Sequence, residues 1–116
     1  MAPYKIEISS PFRGFSLYSL TLMGEVMAGD SVVEFIKYKR EAGAKDMLDR
    51  VVVDTKGGDA LTLYIYIIPE SLPDIEIIEE GEPFELHVVV SQNGDVCYNR
   101  RLSVNRWSGA NIEIKL

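Results

Sequence analysis

Leu61-Thr62-Leu63-Tyr64-Ile65-Tyr66-Ile67-Ile68 is the stretch whose reading decides the fold. Leu61, Leu63, Ile65 and Ile67 recur at every second residue. In extended chain they share one face, and Thr62, Tyr64 and Tyr66 share the other. β-Branched and aromatic side chains suit a half-buried pleated surface, and a face of Thr and Tyr is commonly part wet. Pro69 closes the run. Ahead of it, Lys56-Gly57-Gly58-Asp59 predicts a tight hairpin turn from a strand at Val51-Val52-Val53.

The same period appears on either side. Tyr4, Ile6 and Ile8 alternate with Lys5 and Glu7, a strand that Ser9-Ser10-Pro11 ends. Between Phe15 and Met27 the alternation is less clean. Tyr18, Leu20 and Leu22 face one way, Phe15, Leu17 and Ser19 the other, and Gly24 suits a bulge where the buried face changes sides.

Asp30 to Arg50 carries two patterns at once. Ser31-Val32-Val33-Glu34 fits a capping box, with Val32, Val33, Phe35, Ile36 and Lys39 on one helical face. The same residues are strand formers, and Ala28-Gly29-Asp30 fits a hairpin turn. Strand and helix both stand, and Glu41 to Asp49 is a candidate short helix. Further on, Ile75 to Ile78 reads as a short strand.

Phe84, Leu86, Val88 and Val90 share a face before Ser91-Gln92-Asn93-Gly94-Asp95. A two-residue Asn93-Gly94 loop would set Leu86 against Arg101 and turn charge toward the core. A three-residue loop, Gln92-Asn93-Gly94, sets Val90 against Val96, Val88 against Tyr98 and Phe84 against Leu102, the register that hydrophobic patterning favours. It stacks Glu85 on Arg101 and His87 on Asn99, and leaves Arg100 on the apolar side opposite Leu86. Arg106-Trp107-Ser108-Gly109 then turns the chain into a closing strand from Asn111 to Leu116.

Seven to nine short strands with turn signals between them predict an all-β fold, or a β-rich one with one or two short helices. The expected architecture is an antiparallel β-sandwich, similar in shape to immunoglobulin-like or transthyretin-like sandwiches, with residues 1–116 as one domain.

Composition narrows the function classes. The chain has 116 residues, 47% hydrophobic and 26% charged, with 18 acids, 12 bases and a net charge of −6. A surface of that sign is a poor partner for nucleic acid, where Lys and Arg must neutralise phosphates, and for anionic membrane. No apolar run reaches the ~18 residues of a span. The first residues have no signal-peptide core, which predicts a cytoplasmic protein without membrane insertion. One Cys and one His, Cys97 and His87, exclude the usual N/S zinc site within one chain, and no metal or cofactor is expected.

No phosphate loop, dinucleotide fingerprint or nucleophile elbow is present. Cys97 and His87 share the outer face of the last hairpin, but a nucleophile pair also needs an oxyanion donor set, so no catalytic residue is assigned. The nonrandom feature is charge segregation. No Lys or Arg lies between Lys56 and Arg100, where nine acids fall. Such a dipole suits docking on a basic partner or head-to-tail self-association.

These features predict a non-enzymatic protein-interaction or assembly module that uses strand edges and a sheet face. The candidate binding residues are Tyr64 and Tyr66, the Trp107–Arg106 pair, and the acidic Glu79, Glu80 and Glu82. The competing expectation is a small-ligand or carbohydrate-binding sandwich, with the tyrosines as a stacking platform.

Overall fold

Alternation predicts strands with one greasy face each, and two sheets must then cover each other. In the computed structural model they do. The structure describes residues 2–12, 15, 18–41, 50–69, 83–105 and 108–116. Eight strands appear there: β1 (Pro3–Ser9), β2 (Tyr18–Ala28), β3 (Ser31–Arg40), β4 (Arg50–Gly57), β5 (Ala60–Pro69), β6 (Phe84–Gln92), β7 (Asp95–Val104) and β8 (Ala110–Lys115). They form two four-stranded sheets, β4-β1-β6-β7 and β3-β2-β5-β8, in which every neighbouring pair is antiparallel. The fold is a β-sandwich.

The inner faces are those the period predicts. Tyr4, Ile6 and Ile8 of β1 and Leu86, Val88 and Val90 of β6 meet Leu20 and Leu22 of β2 and Leu61, Leu63, Ile65 and Ile67 of β5, all buried. One end of this core is aromatic. Phe84 stacks on Phe12 at 4.7 Å between ring centroids and tilts against Tyr18 at 5.1 Å and Phe15 at 6.1 Å. The Arg40 guanidinium lies over the Phe15 ring, 4.5 Å from its centroid. Along one side of the sandwich, edge strands β3 and β4 are tied by the Lys56 amide, which donates to the Glu34 carboxylate.

The ambiguous segment resolves as strand over Ser31–Arg40. Gly29, at φ +60°, takes the first position of the two-residue loop from β2, where a type II′ turn requires positive φ. The short helix expected within 41–49, like the short strand expected at 75–78, lies outside the described residues apart from Glu41, which is exposed and outside any strand.

Three expectations need correction. Gly57-Gly58 is no hairpin turn, because β4 pairs with β1 while β5 pairs with β2 and β8, so this link crosses between sheets. Glycine is needed at position 58 for close approach: a Cβ there would lie 2.4 Å from Val26 Cγ1 and 2.6 Å from the Met27 carbonyl oxygen. Gly24 marks no change of face. It pairs with Ile36 and Leu63 in mid-strand, and the buried side continues from Leu22 to Val26; the irregularity lies at Val26/Met27.

The third is the last hairpin. Gln92 pairs with Asp95 around a two-residue Asn93-Gly94 loop, and both loop residues have positive φ (54° and 81°), as a type I′ turn requires. A bulge between Val90 and Ser91 absorbs one residue of β7, so Val90 meets Tyr98, Val88 meets Arg100 and Leu86 meets Leu102. The bulge restores the parity that a plain two-residue loop would break, two residues away from the expected register. Arg100 then sits opposite Val88, exposed at the sandwich rim, with its guanidinium 5.9 Å from the Tyr98 ring centroid.

Candidate functional site

Two outer faces are available, and their chemistry differs. On β4-β1-β6-β7 the outward positions are largely polar and paired. Arg50 Nη2 donates to Glu7 Oε1 at 2.6 Å, and Lys5 Nζ lies 3.3 Å from the same oxygen. The Arg50 hydrogen bond holds the Glu7 carboxyl below the usual carboxylate range, against a smaller opposing effect of burial. Arg101 Nε lies 3.5 Å from Glu85 Oε1, and His87 Nε2 lies 2.6 Å from Asn99 Oδ1. These are the side-chain partners the sequence suggests, but reached diagonally, since Arg101 stands opposite His87 and Asn99 opposite Val89.

Cys97 is exposed, and its thiol donates to the Val90 carbonyl at 3.3 Å. The bulge places it nearer the hairpin tip than His87. A concavity of about 530 Å³ opens on this face beside Tyr4, Glu7 and Val96. Its lining joins the ion-paired Lys5 and Glu7 to Asp54, Ser91 and Asn93.

The outer face of β3-β2-β5-β8 is different. Tyr64 pairs across β2 with Met23 and across β8 with Glu113; Tyr66 pairs with Thr21 and Asn111; Thr62 pairs with Glu25 and Lys115. Met23, Gly24, Glu25, Thr62, Tyr64 and Tyr66 line a shallow concavity of about 400 Å³. Both tyrosines and Thr62 are half-buried, as a part-wet face requires.

The surrounding positions are the ones sequence reasoning did not assign. Phe35, 73% exposed, sits beside Glu25, and Met23 (46%) and Ile68 (49%) lie on the same face. With Val32 they make four of the six large hydrophobics exposed on the described chain; the other two, Val52 and Val96, stand apart on the opposite sheet. Met23 and Phe35 stand in adjacent rows, those of Tyr64 and Thr62, while Val32 and Ile68 stand toward the two ends of the face, beside Met27 and Ser19. Exposed apolar groups gathered on one face mark a candidate contact surface. Lys37 and Lys39 border it on β3, and Glu113 and Lys115 on β8. Glu113 Oε1 lies 3.1 Å from Lys115 Nζ, and that hydrogen bond raises the Lys115 pKa, with smaller contributions from the charges of Glu113 and Tyr64.

Of the sequence-based candidates, the structure brings Tyr64 and Tyr66 together. Arg106, Trp107, Glu79, Glu80 and Glu82 lie outside the described residues. On either side of Arg106 and Trp107, Gly109 N donates to the Asn105 carbonyl at 2.9 Å. Of the nine acids in the stretch without bases, only Asp59, Glu85 and Asp95 are described. Asp59 Oδ2 accepts from the Gly29 amide at 3.0 Å, and Glu85 faces Arg101.

Among the described residues no three His, Cys, Asp or Glu side chains converge on a possible metal position, and no helix is long and apolar enough to cross a membrane. No family model, curated protein or solved structure matches this chain significantly.

Proposed function

We propose that this protein is a non-enzymatic interaction module whose working surface is the outer face of β3-β2-β5-β8, bordered by the edge strands β3 and β8. The observation that carries the reading is that Met23, Val32, Phe35 and Ile68, all exposed, share one outer face with Tyr64 and Tyr66. A fold that needed only its core would place charge there, as the opposite sheet does with Lys5, Glu7, Asp54 and Arg101. Aromatic and Met side chains are enriched at the centres of protein interfaces, and charged residues at their rims. Here Met23, Tyr64 and Tyr66 occupy the middle strands together with Glu25, while Lys37, Lys39, Glu113 and Lys115 occupy the outer ones together with Phe35.

A carbohydrate ligand is the second reading. The two tyrosines beside the 400 Å³ concavity support it, because aromatic rings offer flat apolar surface to a sugar.

Site-specific photo-crosslinking tests the first reading. Benzoylphenylalanine introduced in place of Phe35 is expected to yield protein adducts in extracts of the source cells, and the same group in place of Val89 to yield none. Adducts from the Val89 position alone would move the interface to the other sheet. Adducts from neither would leave the tyrosine face to a small ligand.

A further inference from the structure

We propose that the occupant of this face is a second copy of the same chain, packed face to face about a two-fold axis lying between the two sheets and within about 15° of the direction of β2 and β5. The proposal rests on reading the face as a protein interface. What singles out a second copy is the order of side chains across the sheet. Lys37 pairs with Met23, Met23 with Tyr64, and Tyr64 with Glu113. One row therefore reads Lys37, Met23, Tyr64, Glu113: a cation at one edge, an anion at the other, and two apolar groups between them.

A two-fold axis along the strands reverses that row in the facing copy. Lys37 then lies over the partner subunit's Glu113, and Met23 over the partner subunit's Tyr64, and symmetry makes each contact twice. Thioether sulfur against an aromatic ring is a favourable contact. In the next row, Phe35, Glu25, Thr62 and Lys115, the same operation sets Phe35 against the partner subunit's Lys115, an ammonium on a ring face. In the row beyond, Lys39 meets the partner subunit's Asn111.

The other two-fold that brings these faces together runs across the strands. It would stack the Lys37–Lys39 column of β3 on its own copy, so charge selects the first arrangement over the second. Stacked sheets cross at about 30°, which displaces the outer columns most. Lys37 and Glu113 are long and exposed enough to span that displacement. The Glu113–Lys115 bridge is exposed on both sides and is readily exchanged for a contact across the interface.

Four strands about 4.8 Å apart and about eight residues long give a face of roughly 500 Å² in plan. A standard interface covers about 800 Å² of accessible surface per partner. The dimer is therefore expected to be reversible on dilution.

Sedimentation equilibrium of the full chain over a concentration series tests the proposal. Wild type is expected to associate to a dimer. Lys37→Glu and Glu113→Lys each turn both edge contacts repulsive, and each is expected to weaken association by roughly tenfold or more. An equimolar mixture of the two variants is expected to recover wild-type association, because each introduced charge then meets its opposite. Both positions are exposed, and unchanged melting temperatures would show that the variants are folded. Wild type that remains monomeric at millimolar concentration would overturn the proposal, as would a dimer indifferent to either substitution or a mixture that does not recover. If Phe35-position adducts instead carry the mass of another protein, the face remains an interface and only the choice of partner fails.

Discussion

Phe84→Ala is expected to lower the unfolding free energy by about 3–5 kcal/mol, the range for removing a large aromatic from a packed core. Phe84 is buried at the start of β6, against three other rings, with the Phe12 ring stacked on it. Truncation removes the common neighbour of that cluster and leaves a cavity that β-sheet backbone cannot collapse to fill. For a chain of this size such a loss lowers the melting temperature by roughly 10–20 °C. Phe35→Ala supplies the contrast. Its ring is 73% exposed, and its loss is expected to leave stability within about 0.5 kcal/mol. Thermal unfolding of both variants measures the difference. Equal losses would mean that Phe35 is held by the fold rather than presented to a partner.

A second large effect is expected at Gly109, where conformation and space act together. Its φ is +74°, and an added Cβ would lie 1.8 Å from the carbonyl oxygen of Ile67, in the strand that β8 joins. Gly94 has a similar φ, +81°, but nothing within 4 Å of the same position. Gly94→Ala therefore carries only the left-handed backbone penalty, about 1 kcal/mol. Gly109→Ala adds displacement of either the turn or the edge of β5, and about 2–3 kcal/mol or more is expected. Denaturant titration of the two variants isolates the steric part. Equal destabilisation would mean that the turn preceding β8 yields without cost.

Strand faces were legible in the sequence and strand partners much less so, for a physical reason. Alternation is local, so Tyr4, Ile6 and Ile8, or Leu61 through Ile67, declare a buried side without reference to anything else in the chain. Alternation does not say which strand lies alongside. Gly57-Gly58 looks like a hairpin because glycine serves tight turns and tight crossings equally, and only pairing tells them apart. In the last hairpin the inward side of Tyr98 and Leu102 is correct, but Val96, expected against Val90, lies opposite Ser91 and exposed, because the two-residue loop and the bulge at Val90/Ser91 each move the register by one.

The site shows the same limit. Thr62, Tyr64 and Tyr66 announce a part-wet face by standing opposite four aliphatics. Phe35 could not be joined to them while Ser31–Arg40 fitted helix and strand alike, and Met23 could not while Gly24 suited a switch of the buried face beside it. Once β3 is placed beside β2, the Lys37 and Lys39 positions fall on the same side as Phe35, outward, with Ile36 turned inward. That alternation was present in the sequence but had no assigned surface to belong to.

The most direct measurement is a dilution series followed by two-dimensional NMR, with the resonances of the two outer faces read separately. With rising concentration, signals from Met23, Phe35, Tyr64 and Ile68 are expected to shift or broaden together, while those from Lys5, Glu7 and Val89 stay fixed. Shifts confined to the second group, or none in either up to millimolar protein, would contradict the assignment of the β3-β2-β5-β8 face as the surface where copies of this chain meet.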